Sequence, residues 1–492
     1  MALSTKLTIT VPEAAVTVHP TIYGQYFEHV EDCITPGVID EHGVRQDVIE
    51  AARDLGVPIV RWPGGSFADT YHWQDGIGED RPVRPNWHWG EGQLEDHRFG
   101  THEFLDWCEQ VGAAPYLNVN LGSGDLIEAL RWLDYTTGNQ DTTDVLTRRR
   151  NGRDEPWPVE YWGIGNETWG TWEAGCTDAA TYATTLANWA TFFRRQRPEV
   201  RIVAVGSHAA DDPEWDRTVL EVAGSEIDLL SVHLYGCRVN DPIHGLDEAS
   251  RRAVLLAPLH FDRQIEAMGS LVRQHNTTAT RQVGIAVDEW NIRHFVANDA
   301  GSYDLDRAAP RTGIDALFAA GVFHAMIRHA DLVTLANYVF LVNGNAVLDA
   351  RDGQVRRSTL FPMFQRYRQR LVGERLDVVV EGATLEVPRL TSGRPHVTID
   401  PATLPGHVPA VDAVAVRDQH GHLQLAIINR SEQAVELSLD LPDTWQRSSG
   451  AALVGDGWWV DLTDDTLHHT DPAPVIGTLL LPPASCWMVT GS

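Results

Sequence analysis

Two carboxylates stand where short apolar runs end. Glu167 follows Glu160-Tyr161-Trp162-Gly163-Ile164 by way of Gly165-Asn166, and Glu289 follows the run 282–287 by way of Asp288. A glutamate placed where a buried strand meets a loop is held rigidly at the mouth of a fold. Two such groups aimed at one sugar bond can divide the work of a retaining glycosidase, one protonating the leaving oxygen while the other attacks the anomeric carbon. The competing account is that one or both are structural carboxylates held in salt bridges.

Such a pair needs a frame. Eight β-branched or apolar runs recur at helix-sized intervals, at 23–27, 59–62, 115–119, 160–164, 201–205, 229–233, 283–287 and 332–336. Amphipathic stretches lie between them, such as 44–55, which stops at Gly56. This alternation predicts an α/β fold, a closed (β/α)8 TIM barrel over residues 19–375, with its site at the C-terminal ends of the strands. Polar residues gather at those ends: Glu28, Ser66, Asn118 and Asn120, Asn166 and Glu167, Tyr235, Glu289, and Asn337. Any one of them could be a polar residue meeting water, but the same choice at nearly every strand end favours a common site. Beyond residue 375 the pattern changes to short alternating strands at 377–380, 413–416, 423–428 and 435–439, with the turn Asp418-Gln419-His420-Gly421. A C-terminal antiparallel β-sandwich, jelly-roll-like, is expected over 376–492. Residues 6–11 and 16–18 have the same texture, so 1–18 are expected to join that sandwich.

Composition narrows the partners. A net charge of −29 opposes nucleic acid and anionic membranes and makes a neutral oligosaccharide the simplest substrate. Five scattered cysteines suggest neither a disulfide framework nor a Cys-x-x-Cys metal site. The 21 histidines include no His-Glu-x-x-His, and Pro63-Gly64-Gly65-Ser66 lacks the lysine of a phosphate loop, so no metal and no cofactor are expected. The opening residues 1–11 lack the basic start and apolar stretch of a secretory signal, and a cytoplasmic location is expected unless such a signal was removed.

The segments Ile22-Tyr23-Gly24-Gln25-Tyr26-Phe27-Glu28-His29, Arg61-Trp62-Pro63-Gly64-Gly65, Tyr71-His72-Trp73-Gln74-Asp75-Gly76, Trp162-Gly163-Ile164-Gly165-Asn166-Glu167 and Val287-Asp288-Glu289-Trp290-Asn291 carry more information together than singly. In this order the chain resembles glycoside hydrolase family 51, whose best known activity is that of an α-L-arabinofuranosidase. The resemblance implies Glu167 as acid/base and Glu289 as nucleophile, roughly 5–5.5 Å apart as retention requires. As in related enzymes, Asn166 would bond both Glu289 and the sugar 2-hydroxyl. From its place on the second run Arg61 would bond Glu289 and keep it ionised, and Tyr235 would hold one of its oxygens. His233 would support the nucleophile from below or, equally well, be a buried and satisfied histidine. Glu28 would bind furanose hydroxyls. Ser66 and Asn337 would also touch the furanose, at places where many members carry Asn or Cys and an Ile-Ala-Gln segment, which leaves the exact sugar open. Trp290, with Trp169, Trp172 and Trp87-His88-Trp89, would supply aromatic faces for sugar rings.

The activity so implied is retaining, exo-acting release of terminal α-L-arabinofuranosyl residues from arabino-oligosaccharides. Alternatives are a furanosidase for α-D-arabinofuranose or β-D-galactofuranose, an endo-β-glycanase, or a non-catalytic carbohydrate-binding protein, which would have no use for the glutamate pair. The resemblance also implies a homo-oligomer, commonly a hexamer.

Overall fold

The computed structural model describes residues 3–89, 93–208, 210–240, 248–391, 398–399, 404–445, 448–455, 467–469, 473–475 and 478–491. Eight parallel strands close into a barrel: β1 (Gly24–Tyr26), β2 (Ile59–Trp62), β3 (Ala114–Val119), β4 (Tyr161–Ile164), β5 (Arg201–Ala204), β6 (Leu229–Asn240), β7 (Gly284–Ala297) and β8 (Val333–Tyr338). Each pairs with the next in sequence, β8 returns to β1, and β6 meets β7 to complete the ring. Strand residues alternate between two environments. In β2, Val60 and Trp62 join the large core shared with the surrounding helices, while Ile59 and Arg61 point inward. Ile59, Tyr116, Val203, Leu229, Ala286 and Leu335 form their own apolar cluster, which fills the barrel beneath the polar residues at the strand ends.

The helix expected before Gly56 runs over Gln46–Leu55, and Gly56 closes it in the left-handed region at φ 76°. Helix Gly313–Arg328 is unusual in being buried on every side, with all of Ile314 to Ile327 inaccessible. Its nearly continuous apolar sequence follows from its position between the barrel and the second domain. There His324 lies between the Tyr367 hydroxyl at 2.7 Å and Asp412 Oδ2 at 3.1 Å.

The second domain is built on an eleven-stranded sheet among the described residues. Its first strand after the barrel, Gly373–Gly382, pairs antiparallel with Leu3–Thr10, so the start of the chain is part of this sheet. Strands Val411–Arg417 and Leu423–Asn429 form the hairpin that turns at Asp418-Gln419-His420-Gly421. Both read as continuous apolar runs because both faces are covered. Val414, Val416, Ala426 and Ile428 face the barrel, whereas Ala413, Ala415, Leu425 and Ile427 face the sheet domain's own core. One pairing departs from the expected all-antiparallel arrangement: Leu3–Thr10 runs parallel to Val435–Asp440. No hairpin joins these two strands, which come from opposite ends of the chain, so connectivity does not force them antiparallel.

Candidate active site

The C-terminal ends of the barrel strands surround a pocket of about 460 Å³. At its floor the Arg61 guanidinium, almost wholly buried on β2, links three groups. Nη1 donates to Glu289 Oε1 at 2.7 Å, Nη2 donates to Asn166 Oδ1 at 2.9 Å, and Nε lies 3.4 Å from Asp288 Oδ2. The second Glu289 oxygen accepts from the Tyr235 hydroxyl at 2.5 Å. Burial alone would push the Glu289 carboxyl up, but His233 and Arg61, with the Tyr235 bond, outweigh burial and the neighbouring Glu167 and hold it below its ordinary value. Glu289 is thereby kept as a carboxylate.

Glu167 is held differently. It follows β4 through Gly165 and Asn166, with its own φ at 41°, a conformation uncommon for any residue with a side chain. Oε2 accepts from the Trp172 indole at 2.9 Å, and Oε1 lies 2.9 Å from His233 Nδ1. His233 Nδ1 is 3.6 Å from Glu289 Oε2, so the imidazole supports Glu167 more closely than the nucleophile it was expected to serve. One oxygen of Glu167, one of Glu289 and a His233 nitrogen all lie within 4.8 Å of one another. These three are the described groups whose spacing could also suit a metal ion.

Glu28 lines the pocket, accepting from the Phe67 backbone N–H at 2.9 Å. The Tyr26 hydroxyl sits between Glu28 Oε2 at 3.2 Å and Glu289 Oε1 at 3.4 Å. Burial, reinforced by the charge of Glu289, pushes the Glu28 carboxyl up to about 7 despite the Phe67 N–H and Arg61. Gly64 and Gly65 are dictated by this crowding. A Cβ on Gly64, at φ 141°, would lie 2.4 Å from Glu28 Cγ, and one on Gly65 would lie 2.5 Å from Glu289 Oε1.

Three expectations from sequence are corrected. Trp290 is wholly buried in β7, its ring stacked on Phe364 and edge-on to Phe323 and Tyr338, so it has no face for a sugar. The cause is strand alternation: Glu289, Asn291 and Arg293 face the pocket, while Trp290, Ile292 and His294 face the core. Asn337 is likewise inaccessible and donates to Asp288 Oδ1 at 3.0 Å beneath the pocket floor. Asn166 does not bond Glu289 directly, because Arg61 stands between them.

Ser66 does line the pocket, but its hydroxyl donates at 2.6 Å to Glu173 Oε1, which also accepts from Asn166 Nδ2 at 3.1 Å. Glu173, Tyr26 and Arg293 escaped sequence reasoning. Tyr26 was legible, since it lies two residues before Glu28 on the same side of the chain. Arg293 was equally legible once β7 is continued past Glu289. Glu173 lies in a loop without periodicity, and its proximity to Ser66 is a tertiary contact that no local pattern signals.

Residues 51–251 match the family model described as the Alpha-L-arabinofuranosidase 1 domain, and 288–458 match the Alpha-L-arabinofuranosidase C-terminal domain. Alpha-L-arabinofuranosidase C of Emericella nidulans is 32% identical over 460 residues, covering 86% of this chain and 85% of the relative. An intracellular exo-alpha-L-arabinofuranosidase of Bacteroides ovatus is 30% identical over 465 residues, covering 90% of this chain and 85% of its own length. Among solved structures, the GH51 α-L-arabinofuranosidase of Thermotoga petrophila matches with a TM-score of 0.85 at 29% identity, over 99% of this chain and 100% of the other. The chain belongs to glycoside hydrolase family 51, among the α-L-arabinofuranosidases.

Proposed function

We propose that this protein is a retaining, exo-acting α-L-arabinofuranosidase that removes terminal α-L-arabinofuranosyl residues from arabino-oligosaccharides by double displacement. The observation that carries the reading is a pair of carboxylates with one oxygen of each within 4.8 Å of the other's, only one of the pair being held by a buried guanidinium. That spacing suits direct attack by one carboxylate rather than the wider gap an inverting enzyme keeps for water, roughly 6.5–9.5 Å. Glu289 attacks the anomeric carbon while Glu167 gives its proton to the glycosidic oxygen. The C–O bond to the aglycone breaks, the aglycone leaves as an alcohol, and the sugar is esterified to Glu289. Esterification removes the neighbouring negative charge, and Glu167, now ionised, takes a proton from the incoming water. The water oxygen bonds to the anomeric carbon, the ester bond breaks, and the configuration is retained.

Glu28, and Ser66 with its hydroxyl fixed by Glu173, hold the furanose hydroxyls from one side of the pocket, while Tyr235 orients the nucleophile from the other. A pocket of about 460 Å³ at the strand ends suits a terminal sugar. This reading extends to a cytoplasmic homo-oligomer, in keeping with the Bacteroides ovatus relative being named intracellular.

The test is hydrolysis of p-nitrophenyl α-L-arabinofuranoside beside the α-D-arabinofuranoside and the β-D-galactofuranoside, with the anomer first released followed by NMR. Preference for the first substrate and initial release of the α-anomer are expected. Preference for either other sugar overturns the substrate, and initial release of the β-anomer overturns the mechanism.

A further inference from the structure

The mouth of the pocket holds a charge that double displacement does not use. Arg293 is the last of the pocket-facing residues Glu289, Asn291 and Arg293 on β7, four positions beyond the nucleophile and on the same side of the strand. Its guanidinium carbon lies 3.6 Å from the centroid of the Tyr235 ring. Stacking of this kind occupies one flat face of the guanidinium and leaves its N–H fork free to donate. Among the described residues the Arg293 side chain has no hydrogen-bond or ion-pair partner. The other arginine of the pocket wall is committed, since Arg307 Nη1 donates to Glu31 at 2.6 Å. Arg293 is half-buried, in a chain whose net charge of −29 offers many acidic partners.

We propose that Arg293 binds a carboxylate carried by the leaving group, so that the preferred substrates place a uronic acid next to the terminal furanose. This rests on the furanosidase reading above and adds the chemistry of the adjoining sugar. On that reading the furanose sits between Glu28 and Glu289, which leaves to the aglycone the part of the pocket wall that holds Glu167, Trp172 and Arg293. A planar guanidinium meets a carboxylate through two parallel hydrogen bonds, whereas a neutral sugar has no group that requires it. The net negative charge does not forbid an acidic aglycone, because exposed charges more than about 8–10 Å away are largely screened. The nearest cation sets the local preference.

The test compares two disaccharides, α-L-arabinofuranosyl-galacturonic acid and its methyl ester, with p-nitrophenyl α-L-arabinofuranoside as reference. The free acid is expected to have a kcat/KM about tenfold above the ester at low ionic strength. That ratio is expected to fall several-fold in roughly 0.5 M salt. In Arg293→Gln the ratio should collapse to about one, while Arg293→Lys keeps part of it. A purely structural role for Arg293, bracing Tyr235, would affect acid and ester alike and leave the ratio unchanged. A wild-type ratio at or below one overturns the proposal, as does a ratio that survives Arg293→Gln. If Arg293→Gln does not fold, the salt dependence of the wild-type ratio decides: a ratio that salt does not lower overturns the proposal. Failure to cleave any of the three substrates, the aryl furanoside included, would instead overturn the furanosidase reading.

Discussion

Glu167 and Glu289 are buried to nearly the same degree, at 7% and 6% exposure, yet the chain builds them in opposite ways. Glu289 lies within a strand of fourteen residues paired on both sides, opposite His233 on β6, with Arg61 and Tyr235 on its two oxygens. Glu167 sits on a turn, at positive φ, at the start of a loop that also supplies Trp172 and Glu173. A nucleophile must stay ionised and keep its direction of attack, which a paired strand and a buried guanidinium provide. An acid/base must change its charge during the cycle, and an indole N–H and an imidazole tolerate both states better than an arginine would. The proposed division of labour between the carboxylates is matched by their backbones as well as their partners.

The most direct way to break that comparison is to delete each carboxylate and offer azide in its place, using an aryl furanoside with a good leaving group. Glu289→Ala is expected to lose roughly 10⁴-fold or more in kcat, and azide should yield the inverted furanosyl azide by direct displacement. Glu167→Ala is expected to lose about 10²–10⁴-fold, with azide giving the retained product from the glycosyl-enzyme. Opposite configurations from the two variants confirm the division, and the same configuration from both would refute it.

A second comparison sets the two tryptophans that the sequence alone treated alike. Trp290→Ala opens a cavity beside Phe323, Tyr338 and Phe364 and is expected to cost about 3–5 kcal/mol of stability in denaturant titration. Trp172, 52% exposed in the pocket with Trp169 edge-on to it, is far less enclosed. Trp172→Ala is expected to leave the unfolding midpoint nearly unchanged and to lower kcat/KM about tenfold, through loss of a sugar face and of the bond to Glu167. A tenfold rise in KM for a stably folded Trp290→Ala would show that its burial has been misread.

That pair also shows where sequence runs out. The barrel and the two catalytic candidates were legible because apolar strand starts and polar strand ends repeat around the ring. What was hidden is where strands β6 and β7 stop. Their apolar runs end near residues 233 and 287, but the strands continue to Asn240 and Ala297; along β7 the pocket-facing positions turn polar while Trp290, Ile292 and His294 stay buried. Continuing the alternation places Trp290 in the core and Arg293 in the pocket. Asn337 failed for a different reason: an inward-facing polar residue on β8 can lie at the sugar or below it, and sequence carries no measure of depth. In the sheet domain both faces of the central strands are covered, which erases the alternation that would have told barrel side from core side.

The smallest effect sharpens the contrast by adding a third carboxyl. Glu173 lies on the same loop as Glu167, almost inaccessible, and accepts from Ser66 and Asn166. Burial pushes its carboxyl up to about 9; the Ser66 bond opposes this, while the charges of Glu167, Asp69 and Glu28 add to it. The folded protein therefore keeps a proton on Glu173 through neutral pH, whereas the unfolded chain releases it near the ordinary value of about 4.3. Between those two values the native state binds the extra proton, so this group's contribution to stability falls as pH rises, by up to about 1.4 kcal/mol per pH unit. Glu173→Gln keeps the oxygen that accepts from Ser66 and Asn166 but carries no titrating proton. Its stability relative to wild type is expected to increase steadily from pH 5 to pH 9 in thermal melts, and the slopes contributed by the other buried carboxyls cancel in the difference. A gap that does not change with pH would mean that Glu173 is ionised in the folded state. The loop would then hold a charged carboxylate beside the proposed acid/base, and the contrast between a neutralised loop and a charged strand would fail.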